Sequence, residues 1–153
     1  MAFRRGNPTA ESVEALFSPS GTNEPAKWLK VALSGGSANA FAAAVQNPES
    51  VDVIIVRCIL DITTAGGTGS SVLDIDVVGS ATDTGDDIFD GVDANATGIS
   101  DSLNSTDNGT NGEGKSWKWD KKDGTNDYLT AKILTQNAAS LAGKLYIQYI
   151  PTA

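Results

Sequence analysis

VDVIIVRCILDITTAGGTGSSVLDIDVVG, residues 51–79, is the stretch whose reading decides the fold. Its first part, VDVIIVRCILDITT, is rich in β-branched residues, which suit a pleated and half-buried surface. Ile54, Val56, Cys58, Leu60 and Ile62 are all apolar and alternate with Val53, Ile55, Arg57, Ile59 and Asp61. The all-apolar set is therefore expected to face the core. AGGTGSS then interrupts the run. SVLDIDVV follows, with Leu73, Ile75 and Val77 on one side and Asp74 and Asp76 on the other. Period-2 alternation on both sides of a Gly-rich break predicts an antiparallel hairpin. The stretch has the chemistry of a scaffold and contains no nucleophile–base pair and no metal-ligand cluster.

Outward from this stretch, the chain reads as more strands. AKWLKVAL (26–33) sets Trp28, Lys30 and Ala32 against Leu29, Val31 and Leu33. FAAAVQN (41–47) is short and bounded by loops, and is expected to be a strand. KSWKWDKK carries Trp117 and Trp119 on one face, DGTND holds an Asp-Gly turn signal, and YLTAKILT sets Leu129, Ala131 and Ile133 against Tyr128, Thr130 and Lys132. QNAASLAG reads as a connection. GKLYIQYIPTA (143–153) sets Leu145, Ile147 and Tyr149 against Tyr146, Gln148 and Ile150, with Pro151 as the stop. The long polar segment from Gly79 to Gly114 is expected to hold a helical turn at IFDGVD and two short extended pieces around Val92 and Ile99. Ile88, Phe89, Val92, Ile99 and Leu103 are expected to tie it to the core. The fold class that follows is all-β: an antiparallel β-sandwich or jelly roll, residues 27–153, preceded by an extended N-terminal arm, residues 1–26.

The arm holds three of the five prolines (Pro8, Pro19, Pro25). Its one helical hint is AESVEALF, where Val13, Leu16 and Phe17 share a face over two turns, too short to be stable alone. Such an arm packs on its own domain or reaches a neighbouring subunit, and both options stand at this point. No apolar h-region follows Arg4 and Arg5, so no secretory signal is expected. No apolar run approaches the roughly 18 residues of a membrane-spanning helix.

Composition narrows the chemistry further. The chain has 153 residues, a net charge of −8, one cysteine and no histidine. Without histidine, the Ser-His-Asp arrangement and the usual zinc and iron ligands are lost. One cysteine, placed on a core face, allows no disulfide framework and reads as a small buried hydrophobe. Between Cys58 and Gly114 there is no Lys or Arg, but ten Asp and one Glu. That surface repels phosphate, so no nucleic-acid partner is expected. Carboxylates are abundant, yet none sits in a recognisable catalytic setting, and no enzyme and no cofactor are expected. Two loops could offer oxygen ligands to calcium: Asp83, Asp86, Asp87 and Asp90, and Asp120, Asp123, Asn126 and Asp127. The competing explanation is that Asp and Asn build turns. Trp117 and Trp119 pose a similar choice between core packing and a platform for sugars. The Asn-X-Thr sites at Asn95, Asn104 and Asn108 read as coincidences of an Asn/Thr-rich loop, and GGTG lacks the lysine and helix of a phosphate loop.

From about Val51 to Ile150 the chain resembles small structural proteins of tailed-phage and prophage head-gene clusters. The features that carry the resemblance are the V-x-V-x-x-V strand, the segment TTAGGTGSSVLDIDVVGSATDTGDDIFDGVD, and the closing LAGKLYIQYIP strand. The resemblance covers roughly two thirds of the chain and leaves residues 1–40 unmatched. It implies a jelly-roll-like capsid decoration or cement protein, often trimeric, made in the host cytoplasm and bound to the outer capsid surface. The implied partners are the major capsid protein and further copies of the chain, with no membrane and no nucleic acid. Arg4, Arg5, Leu16, Phe17, Lys27 and Lys30 are the expected interface residues. Two rival classes remain: a glycan-binding head-fibre or tail-tip module carried by Trp117 and Trp119, and a self-assembling tail-tube or filament subunit.

Overall fold

Strand β9 is the long element on which the rest is hung. It runs Ala138–Pro151 and pairs with β1 (Lys27–Gly36) on one side and β3 (Val53–Thr64) on the other. The computed structural model describes residues 25–67, 69–107 and 116–152. The remaining strands are β2 (Phe41–Gln46), β4 (Val72–Val78), β5 (Phe89–Asp93), β6 (Gly98–Asp101), β7 (Trp117–Trp119) and β8 (Tyr128–Leu134). They form two antiparallel sheets. Sheet A has the order β1-β9-β3-β6, with β7 paired to the other end of the same β3 edge. Sheet B has the order β2-β8-β4-β5. Among the described residues there is no helix.

The pairings β1·β9, β2·β8, β3·β6/β7 and β4·β5 describe one long antiparallel ribbon whose tip is the β4–β5 connection. Rolling that ribbon adds the contacts β9·β3 and β8·β4. This is the jelly-roll order, and it stacks the two sheets around one core. Leu145, Ile147, Leu60 and Ile55 from sheet A meet Leu73, Ile75, Leu129 and Ile133 from sheet B, all fully buried.

The rolled topology corrects the expected hairpin. β3 and β4 lie in different sheets, so AGGTGSS crosses between layers instead of turning within one. A Gly-rich break looks the same in sequence whether the next strand returns to the same sheet or to the facing one. The inward face of β3 is also corrected. The register shifts between Ile55 and Arg57, and this bulge at Val56 inverts the alternation. Val53 and Ile55 are fully buried before it, Cys58, Leu60 and Ile62 are buried after it, and Ile54 and Val56 stay only partly covered. IFDGVD forms strand β5 and not a helical turn, because it pairs with β4. The expected connection QNAASLAG shortens to residues 135–137, since β9 already starts at Ala138. Of the five apolar anchors, Ile88, Phe89 and Val92 are buried, while Ile99 and Leu103 are exposed.

The inward faces of β1 and β9 are as expected, as are those of β4 and β8 except that Val78 is buried where Val77 was expected and Thr130 is buried as well. Leu33, Leu73, Ile75, Leu129, Ala131, Ile133, Leu145, Ile147 and Tyr149 point inward. Cys58 is buried and its thiol is pushed far up by burial, so it behaves as an inert apolar group.

Gly143 sits in mid-β9 between Leu33 of β1 and Ile62 of β3. A Cβ there would collide with the Asp61 carbonyl oxygen, so only glycine lets β3 approach. Gly143→Val is expected to lower stability by about 2–4 kcal/mol. A urea midpoint unchanged from the parent chain would show that β9 can shift to make room.

Candidate functional site

Two open hollows lie on the surface of the described residues. A hollow of about 330 Å³ lies between Asp76, Asp87, Lys118 and Asn126. A larger one, about 540 Å³, is lined by Gly66, Gly67, Gln136, Asn137 and Ser140 and holds no charged side chain. Among the described residues no group of three or more acids, cysteines or histidines is placed to hold a metal ion.

The two calcium-candidate loops are stitched by their own hydrogen bonds. Asp120 accepts from the Asn126 amide (3.0 Å) and pairs with Lys118 (2.6 Å). Asp127 accepts from the Asp123 amide (2.9 Å) and the Gln46 side chain (2.6 Å). Asp123 takes φ +65 in a turn closed by Gly124 N–H donating to Lys121 C=O. In the other loop, the Asp83 carbonyl accepts from Thr130 Oγ1 (3.1 Å), while Asp90 is exposed. The Asp120 and Asp127 carboxylates thus serve as turn and anchor groups, and in the other loop the Asp83 carbonyl anchors the connection to β8.

Trp117 and Trp119 are core residues. Both are buried, and each indole N–H donates to a backbone carbonyl, Asp87 for Trp117 (3.2 Å) and Asp127 for Trp119 (2.9 Å). This corrects the platform alternative: no ring face remains for a sugar to stack on. Trp119 instead meets Tyr149 edge-on at 6.4 Å. The Tyr149 hydroxyl donates to Glu49 (2.8 Å), and Glu49 pairs with Lys27 (3.1 Å). The Tyr149 hydrogen bond holds Glu49 below the usual carboxylate range, and burial pushes Tyr149 up to about 12.

Beside this chain of contacts, buried Asn47 ties the end of β2 to sheet A. Its Nδ2 donates to the carbonyls of Asp120 (2.9 Å), Trp119 (3.1 Å) and Val51 (3.2 Å), and its Oδ1 accepts from the Glu49 amide (2.8 Å). In the sequence this residue was only the last of the expected strand FAAAVQN, before Pro48. One side chain satisfying four backbone groups requires strands from both sheets, which no local signal reveals.

The outer faces differ in chemistry. Sheet B is acidic: Asp74 and Asp76 project from β4, and the 79–88 connection lies over them with Asp83, Asp86 and Asp87. Gly85 packs directly on the Asp76 carboxylate. Burial, then the nearby Asp87 and Asp86 charges, push Asp76 up to about 6, and burial also raises Asp74.

The outer face of sheet A is mixed, with apolar and charged side chains interleaved. Its cross-strand rows are Ile150–Ile54–Lys118, Trp28–Gln148–Arg57, Lys30–Tyr146–Ile59–Asp101 and Ala32–Lys144–Asp61–Ile99. Arg57 makes a forked ion pair with Asp101 that pins β6 to β3. Lys118 is held by Asp52 and Asp120. Of the expected interface residues, Lys27 and Lys30 lie on β1, and Arg4, Arg5, Leu16 and Phe17 lie outside the described residues. That Ile54 lies on this face was missed in the sequence because it was assigned inward. The signal available was that VIIV is apolar on both faces.

No protein-family model matches the chain, and no curated protein matches it in sequence. Two solved structures share the fold. A chain in the capsid of Ralstonia phage GP4 superposes with a TM-score of 0.53 at 12% identity, covering 89% of this chain and 90% of that one. A chain in the cyanophage Pam1 capsid asymmetric unit does so with a TM-score of 0.51 at 17% identity, covering 88% and 91%. At these identities the likeness is one of fold, and it extends over nearly the whole of each chain.

Two stability predictions follow from the rim and the acidic face. Asn47→Ala strands three carbonyls and one amide, and is expected to cost about 3 kcal/mol. A loss below about 1 kcal/mol in urea unfolding would mean that water replaces the side chain. Asp76 binds its proton more tightly folded than unfolded, so its contribution is most favourable below the usual carboxylate range and is lost as pH rises to about 6. Asp76→Asn should therefore gain in Tm relative to the parent as pH goes from 4 to 7. A pH-independent Tm difference would contradict the raised carboxylate.

Proposed function

We propose that this chain is a virion structural protein of a tailed phage, a decoration or cement protein that binds the outer surface of the major capsid shell and stabilises it by subunit–subunit contacts. The single observation that supports it best is the end-to-end jelly-roll likeness to chains found in two phage capsids. The absence of histidine from the sequence points the same way, toward area and not reaction. In this reading the partners are the major capsid protein and further copies of the chain, with a trimer favoured, and the protein is no enzyme. The acidic outer side of sheet B faces solvent. Arg4, Arg5, Lys27 and Lys30, with Leu16 and Phe17, form the contact region, where charge sets register and association rate more than affinity. Weak contacts repeated over a closed shell add up by multivalency.

The glycan-binding alternative has lost its carrier, since both tryptophans that would form the platform are buried. The filament alternative differs in what the pure protein does: a decoration protein stays a discrete small oligomer until capsid is present, whereas a filament subunit polymerises alone. Light scattering over a concentration range is expected to give one discrete oligomer, and co-sedimentation with empty capsids is expected to saturate and to weaken with salt. Long polymers, or no capsid binding at any salt, would overturn the reading.

A further inference from the structure

We propose that the hollow of about 540 Å³ beside the AGGTGSS crossover binds an uncharged, hydroxyl-rich sugar. The proposal goes beyond the capsid role and does not rest on it. Nor does it rest on Trp117 and Trp119, which are buried and do not line this hollow.

Four stretches far apart in the chain build the hollow. Ala38 comes from the β1–β2 turn, Gly66 and Gly67 from the crossover after β3, Thr135, Gln136 and Asn137 from the β8–β9 connection, and Ser140 from the start of β9. Hydrogen bonds fix these stretches in place. Ser140 N–H donates to the Gly66 carbonyl (3.0 Å), Ala38 N–H to Asn137 Oδ1 (2.9 Å), and Thr135 Oγ1 to the Ser70 carbonyl (2.5 Å). The backbone is held in costly shapes: β-branched Thr135 takes φ +67, and Gly67 takes φ +141. Strain of this kind persists only where the surroundings over-determine it, and it gathers at ligand sites. The walls are therefore preformed, and a ligand does not have to order them.

The lining sets the chemistry of the ligand. Charged residues make up 20% of the chain, yet none lines the hollow, so neither an anion nor a cation is selected. The only apolar side chains in it are Ala38 and Ala139, so no aromatic or aliphatic group is selected. What remains is polar and uncharged. The Gln136 carboxamide, Asn137 Nδ2 and the Ser140 hydroxyl form no hydrogen bond with any described residue. At Gly67 nothing lies within 4 Å of where a Cβ would stand, so its peptide groups are open to close approach. Carboxamides and hydroxyls offer both donors and acceptors, and a sugar hydroxyl uses both at once. Peptide recognition draws on apolar grooves, charge clusters or a sheet edge, and this lining of small uncharged residues provides no apolar or charged anchor.

The test is amide NMR of the full chain, titrated in turn with maltotriose, mannotriose and chitotriose. Saturating shifts are expected at amides 66–67 and 135–140, with a Kd of about 1 mM for the best sugar. Gln136→Ala and Ser140→Val replace exposed side chains, and a spectrum unchanged away from the hollow verifies their fold. Each is expected to weaken binding about fivefold. Absence of shifts with all three sugars at about 50 mM would overturn the proposal. Shifts spread over other faces would overturn it too, as would an affinity unchanged in both variants. The rival probe is a capped, uncharged tripeptide of glycine and serine. Binding of this peptide at the same amides, tighter than any of the sugars, would assign the hollow to a polypeptide and overturn the sugar.

Discussion

The pairing of β9 with two partners at once is the constraint on which this structure depends. β9 joins the chain's C-terminal end to β1 on one side and to β3 on the other. Its inward residues Leu145, Ile147 and Tyr149 supply the middle of the core, and its outward residues Lys144, Tyr146, Gln148 and Ile150 supply the middle of the sheet A face. Both rows depend on the same register. A slip of one residue would put Tyr146 and Gln148 inside and expose Ile147. Gly143 allows the approach by having no side chain where the Asp61 carbonyl passes. These contacts link residues near opposite ends of the chain, so the sheet can close only after the rest of the ribbon has been laid down.

Once the ribbon is rolled, the two outer faces have different roles. Sheet B keeps its acids, partly covered by the 79–88 connection, and the burial that raises Asp76 is a cost carried by the ribbon's tip at neutral pH. Sheet A mixes apolar side chains with charges, some of them paired, Arg57 with Asp101 and Lys118 with Asp52 and Asp120. Between the layers, Asn47 and the Trp119–Tyr149–Glu49–Lys27 chain lock the rim from which the N-terminal segment departs.

Much of this was legible in the sequence, and the losses have specific causes. Alternation gave the correct inward set in β1 and β9 and most of it in β4 and β8, where Val78 and Thr130 are buried against the pattern. It failed in β3 because one extra residue at Val56 inverts the pattern, and a run apolar on both faces offers nothing local to reveal this. IFDGVD was misread as a helical turn because its apolar spacing is ambiguous over six residues, and pairing with β4 settled it. Of the surface features, the acidic character of the middle segment was visible as a simple count of charges. The shared exterior of Trp28, Ile54 and Ile150 was not, since it is assembled from β1, β3 and β9, far apart in the chain.

The sequence by itself determined an all-β chain, its acidic middle, the want of histidine chemistry and the inward faces of its regular strands. These are local or compositional properties, set by side-chain period and residue type. Only the tertiary structure decided that β3 and β4 lie in opposite sheets, that both tryptophans of β7 are core, that Asn47 bridges the layers and that Trp28, Ile54 and Ile150 share the exterior of sheet A. The physical reason is the same in each case. A strand's alternation states which residues share a side, but strand pairing between distant segments states which sheet that side belongs to and what it faces.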